Sequence, residues 1–463
     1  MQNETELMGK ESITRLLFRF SLPATVGMVV AATYNVVDTM FIGWLGSEAI
    51  AALSIAFPIQ MILGAIGVGT GVGAASLISR SLGAGSNREA EKAIGQVISL
   101  ALIFGLVIAL ASWFYLRPLL VIFGASPEIL GYTEEYTSVI TTWSVVFFLI
   151  MSLNNVTRAE GSPMLSMKVM IASSLLNIAL DPVFIFLLGM EVQGAAVATV
   201  IAKGAGALAL LLHFTRGSSN VIFYPSNMKL EWGVIKHIYK IGFATILRLF
   251  SKNLSLTVTN IILAAFGHIP VAAMGLFFRL QMLIFMPVIG FSQGLLPVIG
   301  YNYGAQKVER IREAVIKGFA ITTGFITLLV MVVYVSPNTF FRIFTSETEL
   351  LNMAGYSLRI MIVMFPLIGI QVVSTIFYQA IGKAIPSLVL SLLREVMIFI
   401  PFLLFLSSYF DLMGVWIARP ISDFLAFIIT FFMISRELKR QNIPLFPLKW
   451  VRGKVNCSTN LYK

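Results

Sequence analysis

The strongest constraint on this chain is its succession of apolar runs, which fill the sequence from about residue 16 to residue 434 with only short polar breaks. A helix needs roughly 20 mostly apolar residues to cross a hydrocarbon core ~30 Å thick. Barrel strands alternate in polarity and run to about 10 residues, so these runs exclude a β-barrel. With 57% hydrophobic and only 12% charged residues, the chain is an integral membrane protein rather than a soluble domain. The expected fold class is all-α. Twelve spans are expected, near 16–41, 50–78, 94–116, 133–155, 167–189, 194–214, 241–265, 271–299, 315–336, 351–377, 387–409 and 413–434.

Basic residues orient the spans. Lys10, Arg15, Arg80, Arg88, Lys92, Lys229, Lys236, Lys240, Lys307, Arg310, Arg312, Arg436, Lys439 and Arg440 fall in the N-terminal segment, alternate loops and the C-terminal segment. Those parts are expected on the cytoplasmic side of a cell membrane, with both termini inside. The polar start "MQNETELMGKESITR" does not read as a signal peptide. The net charge of +11 is spread over many loops and forms no nucleic-acid face. The single cysteine, Cys457, offers neither a disulfide nor a thiolate cluster.

One shift, 221 residues, relates distant segments. It pairs "GSEAIAAL" at 46 with "GHIPVAAM" at 267, "LGAG" at 82 with "YGAQ" at 303, "FGASPEI" at 123 with "FTSETEL" at 344, and "TRAEGSPMLS" at 157 with "YQAIGKAIPS" at 378. One residue is then lost, so "QGAAVA" at 193 meets "MGVWIA" at 413. The expected organisation is a tail over 1–12, a six-helix lobe over 13–214, a cytoplasmic linker over 215–237, a second six-helix lobe over 238–436 and a tail over 437–463. Six is even, so the repeat is parallel and its pseudo-two-fold axis runs along the membrane normal. Two lobes that rock about a central cleft make a transporter; no filter-like carbonyl loop suggests a channel.

The lobes differ in their buried charges. Asp38 lies in the apolar "ATYNVVDTMFIGWLG", and Asp181 in "NIALDPVFI"; the repeat sets Thr259 opposite Asp38, and Pro401 or Phe402 opposite Asp181. An ionised side chain at mid-bilayer costs about 2.5–3.5 kcal/mol on insertion scales, so two acids in one lobe imply a function. Tyr34 precedes Asp38 by four residues and Asn177 precedes Asp181 by four, which places each pair on one helix face; Asn35 and Ser174 widen these stripes. Pro182 frees a backbone carbonyl beside Asp181. Such an oxygen-rich pair suits a proton or Na⁺, with sodium ligands drawn from Asp38, Asp181, Asn177 and Thr199. The blander reading is that either acid caps a helix end, and that Asn154, Asn155 and Thr199 are helix-packing groups.

Other intramembrane charges read as ion pairs, with Arg419 and Asp423 at i and i+4 and Arg394 beside Glu395. Arg248, Lys252, Arg279 and Lys203 lack acidic neighbours on their own helices. His213, His237 and His268 have no metal-ligand spacing. The G-x-G-x-x-A match in "GVGTGVGAAS" follows no strand and reads as close helix packing. No nucleophile with a base, metal cluster or phosphate loop suggests an enzyme, and no cofactor is expected.

The segments "SLPATVGM", "YNVVDTMFIGWLG", "ISRSLGAG", "TRAEGSPMLSM", "NIALDPVFI" and "GAAVAT" resemble the multidrug and toxic compound extrusion (MATE) family, and the N-lobe acids resemble its DinF-type branch. The resemblance implies a V-shaped pair of six-helix lobes and a secondary antiporter that exports amphipathic, often cationic compounds in exchange for H⁺ or Na⁺. It implies Asp38 and Asp181 as coupling acids, Tyr34, Asn177 and Thr199 as the rest of the cation network, and Asn154 as a further polar position. Pro23 would let the first helix bend. The chain departs from branches with an acidic C-lobe site, since its seventh helix offers Arg248 and Lys252 instead. A flippase for lipid-linked oligosaccharides of the same superfamily is the alternative, with those cations and Arg279 gripping a phosphate. The expected partners are small amphipathic compounds, the coupling ion and the bilayer; a monomer is the expected state.

Overall fold

The computed structural model describes residues 4–216, 219–441 and 443. Cys457 and most of the expected C-terminal tail lie outside them. The described residues form helices joined by short turns, with no β-strand among them. That is the physical requirement of a chain in lipid, where each backbone N–H and C=O must be paired within its own segment.

The N-terminal lobe comprises α1 (Ile13–Gly43), α2 (Ser47–Gly83), α3 (Asn87–Ile122), α4 (Pro127–Thr142 and Ser144–Ala159, bent by 55°), α5 (Pro163–Pro182, continued by the π-turn Val183–Leu187) and α6 (Glu191–Thr215). The C-terminal lobe comprises α7 (Trp232–Ala264), α8 (His268–Gly304), α9 (Val308–Val335) and α10 (Thr348–Met361 and Phe365–Ala380, bent by 55°). It ends with the apolar helix Ala384–Arg440, which is two spans: Phe410 and Asp411 leave helical geometry and divide it into α11 (384–409) and α12 (412–440). Eight helices are long and apolar enough to cross a membrane and the two bent pairs make ten. The fold at Asp411 and the less apolar α7, which carries Lys236, Lys240, Arg248 and Lys252, complete the expected twelve.

Most helices overrun their expected limits. The 37 residues of α2 extend about 55 Å, well beyond the hydrocarbon core, because polar ends such as "REAEK" in α3 keep helical bonds in the aqueous layer. For the same reason α7 begins at Trp232, so the stretch between lobes is 216–231 rather than the expected 215–237. Buried Gln96 secures this stretch: its amide donates to the carbonyls of Asn227 (2.9 Å) and Lys229 (2.7 Å), and its carbonyl accepts from the Glu231 N–H (3.1 Å). One side chain thus satisfies three backbone groups of a segment that has no long helix of its own.

The repeat is visible atom by atom. Gly83 of α2 packs so closely on α8 that a Cβ there would overlap the Tyr301 carbonyl, while a Cβ on Gly304, its repeat partner, would overlap the Arg80 carbonyl. Arg80 and Tyr301 are themselves repeat partners, so the contact is reciprocal, as an interface on a two-fold axis must be. Glu191 and Asp411 are also equivalent and turn their hairpins with φ of 48° and 49°.

The hydrogen bonds that join the lobes lie in the half of the bundle that holds the described terminal segments. Ser21 and Thr25 of α1 donate to the carbonyls of Phe291 (3.1 Å) and Pro287 (3.4 Å), the hydroxyls of Thr70 and Tyr239 pair at 2.9 Å, and Ser76 donates to the Gln379 carbonyl. Among the described residues, no hydrogen bond joins the lobes in the other half. The lobes are therefore fastened to each other at the terminal end.

Candidate functional site

Five helices of the N-terminal lobe converge on the acids. Asp38 from α1 is 7% exposed and Asp181 from α5 is 0% exposed, and the two carboxyls lie within hydrogen-bonding reach of each other. Asn177, one turn before Asp181, donates to its Oδ1 at 3.2 Å and to the Thr199 hydroxyl of α6 at 3.3 Å. The i, i+4 spacing read from sequence thus becomes a direct contact. Pro182 ends the regular helix, and the wide π-turn at Val183–Leu187 follows; such turns recur at functional sites because they displace the helical hydrogen bonds.

Tyr34 joins the cluster through a residue that sequence reasoning left aside. Lys203, one turn after Thr199 on α6, donates to the Tyr34 hydroxyl at 2.8 Å, with its ammonium 5.2 Å from the Tyr34 ring and 5.3 Å from the Phe147 ring. It is also the charged neighbour of Asp38. Its spacing from Thr199 was a usable signal. Tyr136 of α4, which adjoins both acids and accepts from Gln60 of α2 at 2.9 Å, carried none, because only the tertiary fold brings it there.

The remaining expected residues stand elsewhere. Asn154 accepts from Ser166 (2.9 Å), which in turn accepts from Arg158 (2.8 Å), and Arg158 also bonds Asn155. Ser166 is fifteen residues from Asp181 on one helix, about 22 Å away. Asn154 therefore belongs to a structural network between α4 and α5, apart from the acids. Asn35 is exposed and bonds only within its helix, while Ser174 is buried on the acid-bearing helix. Pro23 lies inside a continuous α1, between Ser21 and Thr25 at the lobe interface.

Three buried oxygens in the cluster, Asp38 Oδ1, Asn177 Oδ1 and Asp181 Oδ2, have no hydrogen-bond donor. All three are acceptors, which is the complement of a proton or a small hard cation. Asp38, Asp181, Asn177 and Thr199 thus fit a transported Na⁺ as well as a proton. Two ionised acids and one ammonium leave a single negative charge, which one monovalent cation neutralises. Among the described residues there is no cluster of three or more His, Cys, Asp or Glu suited to a resident metal.

The C-terminal lobe places different chemistry at matching helices. Arg394 Nε donates to Asp423 Oδ1 at 2.6 Å, and Arg419 grips Glu395 with two bonds of 3.0 and 3.1 Å. The pairs expected from local spacing, Arg419 with Asp423 and Arg394 with Glu395, are the longer contacts at 3.7 and 3.8 Å. The π-turn Leu393–Ile398 presents Arg394 and Glu395 to α12 and makes this cross-pairing possible.

The MatE family model matches residues 23–183 and 244–406, two segments that begin one repeat apart. Among curated proteins, the multidrug export protein MepA of Staphylococcus haemolyticus is 31% identical over 435 residues, covering 92% of this chain and 95% of that protein. MepA of Staphylococcus saprophyticus is 30% identical over 433 residues, with the same coverage. Among solved structures, the MATE multidrug transporter DinF-BH, solved as a ligand complex, superposes with a TM-score of 0.87 at 37% identity, over 93% of this chain and 97% of that one. An outward-facing MATE family transporter superposes with a TM-score of 0.89 at 26% identity, over 95% and 99%.

Proposed function

The chain belongs to the MatE family, the multidrug and toxic compound extrusion transporters, and from that premise we propose that it exports amphipathic organic compounds in exchange for H⁺ or Na⁺. Membership makes it a multi-span membrane transporter rather than an enzyme. The MepA relatives are named as multidrug export proteins and DinF-BH as a multidrug transporter, which supports a small organic compound as cargo over a lipid-linked sugar. The observation that carries the coupling is the N-lobe acid pair, with three buried oxygens of its cluster lacking donors.

The basic residues of the terminal segments and alternate loops support a cytoplasmic terminal end. The lobes are joined at that end, so the cleft opens outward. In this state a cation reaches Asp38 and Asp181 from outside and removes the repulsion between them. The cluster then loses the field that holds Lys203 of α6 against Tyr34 and Asp38 of α1. Pro23, which donates no N–H, gives α1 a point at which to bend as the lobes rock. Each tenfold gradient of the incoming ion supplies about 1.4 kcal/mol. Exchange of one cation for a singly charged organic cation is electroneutral. A neutral or zwitterionic cargo instead lets one net charge enter, adding about 2.3 kcal/mol per 100 mV.

The test is dye export from proteoliposomes under an imposed pH or Na⁺ gradient. One gradient should drive export by the native protein and fail with Asp38→Asn. Full gradient-driven export by Asp38→Asn would make Asp38 structural.

A further inference from the structure

The N-lobe acids leave the C-lobe charges unused. Six ionisable groups cluster there: Arg248 and Lys252 on α7, Arg394 and Glu395 on α11, and Arg419 and Asp423 on α12. Each carboxylate is already engaged by both arginines of α11 and α12. Arg394 lies over the Phe285 ring at 5.7 Å and Arg419 over the Phe399 ring at 5.1 Å, so these arginines are held from both sides. Arg248 and Lys252 are the surplus. They sit one turn apart on one face of α7, and neither makes a hydrogen bond or ion pair among the described residues.

Four basic against two acidic side chains leave two positive charges in excess inside a membrane lobe. Each such charge costs about 2.5–3.5 kcal/mol on insertion scales when nothing offsets it. Arg248 Nε is buried without an acceptor, while Lys252 is exposed although four charged groups adjoin it. A cation that is both crowded and accessible lines an opening. Its position is informative too, since α7 leaves its contact with Gly69 of α2 at Gly242 and Ile246, just before Arg248. The two cations therefore follow directly on a close contact between the lobes.

We propose that this cluster is a subsite for the acidic group of an amphipathic cargo, a carboxylate or phosphate held by Arg248 and Lys252 against the fixed Arg394–Asp423 and Arg419–Glu395 pairs. The inference rests on the transporter reading above and adds a cargo class to it. The hydrogen bonds that Glu395 and Asp423 accept come from Arg419 and Arg394, which leaves Arg248 without a carboxylate of its own. An anion bound there would pair the surplus charges, and an apolar body could rest on Phe285.

The test uses two probes that differ only in this group: tetramethylrhodamine with its free carboxylate, and its methyl ester. Binding to the full-length protein in nanodiscs is measured by fluorescence anisotropy for the native chain, for Lys252→Gln and for Arg248→Gln with Lys252→Gln. The acid should lose at least roughly tenfold in affinity in the variants, as expected when a charged hydrogen bond is removed, with ester binding kept within about twofold. Equal losses for both probes, or none for either, would overturn the subsite. Retained ester binding confirms that a variant is folded, and Lys252→Gln alone serves if the double variant is not. Nanodiscs with and without anionic lipid distinguish the source of the acidic group. Weaker acid binding in anionic lipid means that a headgroup takes the subsite, and unchanged binding assigns it to soluble cargo. Ester export that fails under every gradient counts against the transporter reading, while lost acid selectivity with intact ester export counts against this one.

Discussion

The two lobes share a backbone plan and oppose each other in charge. Asp38 in α1 corresponds to Thr259 in α7, whose hydroxyl bonds only its own helix, at Ser255. Thr199 and Lys203 in α6 correspond to Arg419 and Asp423 in α12. Where Gly27 of α1 packs on Met170, α7 carries Arg248. The N-lobe cluster thus sets two acids beside one lysine, while the C-lobe cluster ion-pairs both of its acids with arginines and keeps cations over. The comparison teaches that duplication preserved the helix scaffold and left each cluster free to specialise. One presents acidic oxygens without donors; the other is braced by arginine–carboxylate pairs.

The largest expected effect separates the lobes most sharply. Asp38→Asn or Asp181→Asn should reduce gradient-driven dye export by at least about 100-fold, because each removes an ionisable partner of the incoming cation, whereas Thr259→Val should leave it within about twofold. Initial export rates in proteoliposomes decide this, and equal losses from Asp38→Asn and Thr259→Val would break the asymmetry. Next comes stability. Glu395→Gln removes the carboxylate that Arg419 grips with two hydrogen bonds and should cost about 3–5 kcal/mol, seen as a lower melting temperature, while Asp38→Asn should not lower it. A Glu395→Gln protein as stable as the native one would deny the C-lobe network its structural role.

A third change sharpens the charge count. Lys203→Met removes the internal cation and leaves two uncompensated carboxylates, so the dependence of export on the driving ion should steepen from first order toward second. Unchanged order would place Lys203 outside the cation's balance. The smallest expected effect is that of Asn154→Ala, which removes a hydrogen bond near Arg158 and should cost about 1 kcal/mol of stability with the driving ion's apparent affinity unchanged. A large shift in that affinity would connect Asn154 to the acids after all.

The spans and the Asn177–Asp181 face were legible because apolar length and a one-turn spacing are properties of neighbouring residues, and the repeat because its 221-residue shift stays constant over four segments. Helix ends were underestimated, since apolarity marks the hydrocarbon core and not the helix that continues beyond it, as α3 and α7 illustrate. The partners of Arg394 and Arg419 were misread for a related reason. Local spacing favours i, i+1 and i, i+4 pairs, but the π-turn of α11 turns both residues toward α12 and exchanges the shorter contacts. Tyr136, which Gln60 bonds, comes near the acids only through the packing of α4 on α2 and α6. No pattern in the chain could have joined them.

The central claim is that cargo and coupling ion compete through the N-lobe acid pair. Its most direct test is to count ions released when dye binds the purified protein, by a pH indicator in weak buffer or by displacement of radioactive sodium. The account predicts about one cation released per dye bound by the native protein and by Thr259→Val, and none by Asp38→Asn, from the single excess charge beside Lys203. Release that persists in Asp38→Asn would place coupling outside this cluster and contradict the account.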